Sequence, residues 1–256
     1  MDFGLVLLTT TLAGLSTGMG GILAVIIKPG ERLLAGAMGF AAGVMVTVSL
    51  ADLCPEALAY YLQAFSPLGA GAAMSSLFCM GMLLAALLER CLPEESAFAA
   101  NGGEKRRMAL RSAFVTGLAL LLHNLPEGIL TFFTGAYDAH LGLRTALAIA
   151  MHNIPEGLAV AVPLFYATQN RAKAVGAAFA SGLAEPIGAL LAWGLLHGVL
   201  GPAFLNGMTV LIGGIMTWVG AAQLLPSGWA FGKNGSTSFG FGVGSAFMLV
   251  GIAALH

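Results

Sequence analysis

Eight apolar runs, each long enough to cross a bilayer, constrain this chain to a bundle of membrane-spanning helices. They are Phe3–Ile27, Leu33–Leu62, Leu68–Leu88, Ala113–Ala136, Ala146–Tyr166, Ala174–Leu200, Phe204–Trp229 and Phe239–Leu255. A hydrocarbon core about 30 Å thick takes roughly 17–25 apolar residues in a helix. Charged residues make up 9% of the chain and hydrophobic ones 58%, where a soluble domain would carry about 25% charged. The first run lacks a basic leader and is too long for the core of a signal peptide, so it reads as a retained span. The expected fold is all-α and polytopic, one domain over residues 1–256.

Charge placement gives the expected orientation. Lys28 and Arg32 separate the first two runs, and Arg90, Lys105, Arg106, Arg107 and Arg111 separate the third and fourth. Arg171, Lys173 and Lys233 lie between later pairs, and only Arg144 falls on the other side. Ten of eleven basic residues on alternate connections is the pattern of cytoplasmic loops. Both termini are therefore expected outside, in a multi-pass protein of the cell membrane (in a bacterium, the inner one). The hydrophilic stretch Pro93–Arg107, with its Asn101-Gly102-Gly103 turn, reads as a cytoplasmic loop between the third and fourth spans. Cys54, Cys79 and Cys91 form no CxxC and suggest no disulfide framework.

One hexapeptide occurs twice inside these runs, as His123-Asn124-Leu125-Pro126-Glu127-Gly128 and His152-Asn153-Ile154-Pro155-Glu156-Gly157. Helical positions i and i+4 share a face, so each copy aims an imidazole and a carboxylate the same way. The proline between them has no N–H and frees the carbonyls of Leu122 and Met151. Asp52-Leu53-Cys54-Pro55-Glu56 repeats the spacing, Gln223-Leu224-Leu225-Pro226-Ser227 is a weaker relative, and Glu185-Pro186 again sets an acid beside a proline. Related motifs in spans two and seven suggest inverted repeats of three spans around a central pair, a 3+2+3 arrangement with its site near the midplane. Glycines such as Gly36, Gly39 and Gly43 suit close helix packing.

The acids inside spans are Asp52, Glu56, Glu127, Glu156 and Glu185, with no Lys or Arg deep in any span to neutralise them. Each costs roughly 2.5–3.5 kcal/mol at a helix centre. A divalent cation would offset that cost specifically, so the expected substrate is a cation. Imidazole with carboxylate suits Zn²⁺, Fe²⁺, Mn²⁺, Co²⁺ or Cd²⁺ better than Ca²⁺ or Mg²⁺. His123, Asn124, Glu127, His152, Asn153, Glu156 and Glu185 exceed the four ligands of one tetrahedral zinc, as two adjacent metals bridged by Glu127 and Glu156 would require. Met45 is a further thioether candidate, and Asp52 and Glu56 are expected along the pathway.

With these motifs, and with Ala41-Ala42-Gly43-Val44-Met45 and Ser181-Gly182-Leu183-Ala184-Glu185-Pro186, the chain resembles the ZIP (Zrt/Irt-like) family of metal-ion transporters over nearly its whole length. The resemblance implies eight spans, a binuclear centre in spans four to six, and uptake of zinc and other divalent metals. It also shows two departures: no histidine in Pro93–Arg107, and Gln223 and Ser227 where relatives often carry an acid.

The expected function is uptake of divalent metal, zinc first with Fe²⁺ and Mn²⁺ also as substrates. The partners are that metal and the lipid bilayer, with room for a homodimer and no role for nucleic acid or a resident cofactor. A metal-selective channel or a proton-coupled exchanger of the same ions is the nearer alternative. An intramembrane protease would favour HExxH, with both histidines on one helix, so an enzyme is not expected. No ATPase P-loop is present, which leaves gradients to drive movement.

Overall fold

The computed structural model describes residues 3–27, 30–98, 103–195 and 201–255, and among these every regular element is helical. Lys28, residues 99–102, which include Asn101 and Gly102 of the expected turn, and the end of the sixth apolar run lie outside the described residues. Eight helices are long and apolar enough to cross a membrane. They are α1 (Phe3–Ile27), α2–α3 (Glu31–Val48 and Cys54–Ala64), α4 (Pro67–Cys91) and α5 (Glu104–Tyr137). The rest are α6 (Ala139–Thr168), α7–α8 (Arg171–Gly182 and Ala184–Leu195), α9–α10 (Pro202–Trp218 and Leu225–Ala230) and α11 (Asn234–Leu255). The chain is a multi-pass membrane protein. Helix α5 starts at Glu104, so Lys105, Arg106 and Arg107 ride on its first turns rather than in the preceding connection.

The prolines shape the spans in two ways. In spans two and seven a wide π turn, Ser49–Leu53 and Val219–Leu224, joins the two α segments just before Pro55 and Pro226. Proline removes one hydrogen bond and crowds the preceding turn, and the wider turn absorbs both effects. Asp52 and Gln223 therefore sit in matching π turns of different spans. Helices α5 and α6, in contrast, run through Pro126, Pro155 and Pro163 without a break. Span six interrupts at Leu183, which places Glu185 in the first turn of α8.

Packing gathers the spans into two groups. In the first, α1 lies on α6, α7 and α8, and α5 lies on α6 and α8; in the second, α2 packs on α11 and α4 on α9. The groups meet mainly where α2 touches α6 and α5 touches α9. Glycine governs the closest approaches. A Cβ on Gly128 would strike the backbone of Glu185, and one on Gly157 would strike the Thr17 carbonyl. The last residue of each hexapeptide is thus the seat for a neighbouring helix: α8 on α5, and α1 on α6. Large apolar side chains such as Leu8, Ile26, Leu68 and Val250 stay exposed on the outside, as lipid-facing positions do.

Candidate metal centre

The two hexapeptides lie side by side on α5 and α6 and pair across the helices rather than within themselves. His123 Nε2 is 3.2 Å from Glu156 Oε1. His152 Nε2 lies 3.6 Å from Glu127 Oε1, beyond hydrogen-bond length. Each imidazole therefore faces the other motif's carboxylate across the two helices. All four residues are buried. Among the described residues no three His, Cys, Asp or Glu groups converge into a closed metal cage; the ionisable donors meet in pairs.

The asparagines are oriented by their amide nitrogens. Asn124 Nδ2 donates to the Ser181 carbonyl at 3.2 Å. Asn153 Nδ2 donates to the Ala13 carbonyl at 2.9 Å and to Glu185 Oε1. Since a carbonyl can only accept, these bonds fix which end of each amide is which. Both Oδ1 atoms are left buried without a hydrogen-bond partner, as are Oε2 of Glu127, Glu156 and Glu185 and both Nδ1 atoms of His123 and His152. Buried polar atoms are nearly always paired. Unpartnered oxygens beside two imidazoles are the donor types that a cation takes up.

A cavity of about 510 Å³ leads to this centre. Its floor includes Glu127 and His152, its wall includes Asp52, Glu56 and Arg144, and it opens beside Tyr137, Pro202 and Leu255. That is the end of the bundle opposite Arg32, Lys105 and Lys233. A second cavity of about 250 Å³ lies toward the basic end, lined by Glu89, Arg111, Gln223 and Ser227. Between the two, Met45, Leu120, Met216 and Leu224 form part of one fully buried apolar cluster. The order can be followed on α5, where Thr116 lines the second cavity, Leu120 the cluster and Glu127 the first. The centre is open toward one end and sealed toward the other.

Met45 belongs to the apolar seal rather than to the lining of either cavity. Glu89 was not singled out by the sequence, yet its Oε2 accepts from Trp218 Nε1 at 3.1 Å and from Gln223 Nε2 at 3.2 Å. Its position near the end of α4 gave it the look of an ordinary boundary acid. The carboxamide of Gln223, in the π turn of span seven, is the only sequence signal that pointed there.

The fold and site define a polytopic membrane protein, eight apolar helices around a buried His/Glu/Asn cluster at the end of a cavity. The ZIP zinc transporter family model matches residues 94–255. A zinc transporter ZupT from Corynebacterium efficiens is 39% identical over 252 residues, covering 95% of this chain and 94% of that protein. One from Akkermansia muciniphila is 40% identical over 259 residues, 96% and 95% of the two chains, and one from Streptococcus mutans is 34% identical over 249 residues, 95% and 94%. The chain belongs to the ZIP family. It is a transporter and not an enzyme.

Proposed function

We infer that this chain transports metal ions, zinc in particular, as its family and relatives support. We propose that this chain takes up Zn²⁺ into the cytoplasm as a carrier, with Fe²⁺, Mn²⁺, Co²⁺ and Cd²⁺ as further substrates. The observation that carries the reading is the crossed His–Glu pair on α5 and α6, surrounded by unpartnered buried oxygens.

His123 and His152 supply nitrogen ligands, Glu127 and Glu156 bridge two adjacent metal positions, and Asn124, Asn153 and Glu185 complete an oxygen-rich neighbour site. Asp52 and Glu56, on the wall of the larger cavity, draw the ion in from outside. The basic ends of the helices face the cytoplasm and the termini face out, by the positive-inside rule. The first and last three spans form inverted repeats, a reading supported by the matching π turns of spans two and seven. The membrane is the bacterial inner membrane. Helix α4, which leaves most of its surface free, meets lipid or, in a homodimer, a second copy.

Access from one end with an apolar seal at the other favours a carrier over an open channel, because an ion cannot cross the Met45–Leu224 layer without rearrangement. Purified protein in liposomes with a trapped zinc-sensitive dye tests this. Saturable initial rates and counterflow of labelled zinc are expected. Rates that rise linearly with zinc, with no counterflow, would assign a channel instead.

A further inference from the structure

One guanidinium lines the larger cavity. Arg144 lines the larger cavity together with Asp52, Glu56, Glu127 and His152, and no other Lys or Arg does. The remaining described basic residues sit at the opposite end of the helices. Arg144 is exposed on the same helix as His152, eight positions earlier, which is two turns or about 12 Å along the axis. Most of the cavity's surface is apolar, from side chains such as Leu130, Phe133 and Ile149. Low-dielectric walls of this kind lengthen the reach of each charge.

We propose that Arg144 is the built-in counter-cation of the ion-free vestibule, and so a residue that sets how tightly an arriving metal is captured. The inference rests on the cavity being the entrance. Arginine is suited to the task because it never loses its proton and its planar fork matches carboxylates. Its long arm extends from α6, in the first group of spans, while Asp52 and Glu56 belong to span two in the second. In the absence of metal the guanidinium compensates the negative field of Asp52, Glu56 and Glu127. An entering dication takes over that field and meets a repulsion twice that felt by a monovalent ion. A transporter needs sites that admit an ion without trapping it. Arg144 keeps the outer acids from holding metal before it reaches the centre.

The test is initial zinc uptake by whole protein in liposomes or cells, at about 10 mM and about 300 mM ionic strength. At low salt Arg144→Gln lowers the apparent KM about three- to tenfold, the order expected for removing a unit charge some two helical turns from His152. The gap narrows at high salt, and Arg144→Lys stays near wild type. Arg144→Met, which keeps the aliphatic stem, gives the same shift as Gln and separates charge from packing. An unchanged or raised KM in Arg144→Gln, or a lowering indifferent to salt, overturns the proposal. Asp52→Asn run in parallel keeps the two readings apart. A raised KM there beside an unchanged Arg144→Gln overturns the role of Arg144 alone, while no change in either overturns the entrance as well.

Discussion

Replacing Gly157 with alanine adds one methyl group at a place where the backbone of another helix already sits. The added Cβ would meet the Thr17 carbonyl oxygen and would lie 3.2 Å from the Cα of Gly20. Backbone cannot rotate aside as a side-chain tip can, so α1 must move away from α6. Overpacking of this kind costs about 1–3 kcal/mol. Gly176 supplies the control, because a Cβ there meets nothing within 4 Å. Alanine at that helical position stabilises by about 0.5–1 kcal/mol. The two variants should therefore differ by roughly 1.5–4 kcal/mol, or several degrees in melting temperature at the usual 2–4 °C per kcal/mol. The same displacement should damage the metal centre, since Asn153 is anchored on the Ala13 carbonyl one turn along α1. Thermal melting in detergent and zinc uptake, measured on both variants, check the chain of reasoning. Equal melting temperatures, or full uptake by Gly157→Ala, would refute the claim that this glycine seats α1 against the site.

Glu127→Ala and Glu156→Ala should each abolish zinc uptake with the protein still folded, and the double variant should be no worse, since ligands acting as a unit are not additive; near-normal uptake by either single variant would remove the bridging role. His152→Asp hardens the ligand set and should shift preference from Zn²⁺ toward Mn²⁺, read as a changed uptake ratio in competition assays. Glu185→Gln replaces a buried carboxyl group whose Oε2 has no partner. Without metal it should melt no lower than wild type, yet lose most of the stabilisation that zinc gives the parent by binding the folded state.

The spans were legible because bilayer thickness fixes the length of an apolar helix, and the eight runs fall within the eight membrane-long helices of the structure, save the stretch past residue 195. Their interruptions were not. Asp52-x-x-Pro55 and Gln223-x-x-Pro226 announced something unusual, but a π turn also depends on what packs around it. The hexapeptides stood out by repetition, and helical periodicity set each His and Glu on one face of its own helix. Across α5 and α6, which approach closely at Gly135 and Gly142, His123 meets Glu156. The asparagines read simply as oxygen donors. That their Nδ2 atoms are held by the carbonyls of Ser181 and Ala13 depends on α7 and α1, far away in sequence. Met45 read as a thioether candidate, and the structure buries it among Val48, Leu120 and Met216.

X-ray absorption at the zinc edge of the metal-loaded protein tests the central claim most directly. The account predicts a shell of nitrogen and oxygen at about 2.0–2.1 Å, with imidazole scattering that disappears in the His123→Ala/His152→Ala double variant. A sulfur shell at about 2.3 Å, or imidazole scattering that survives the double substitution, would contradict it.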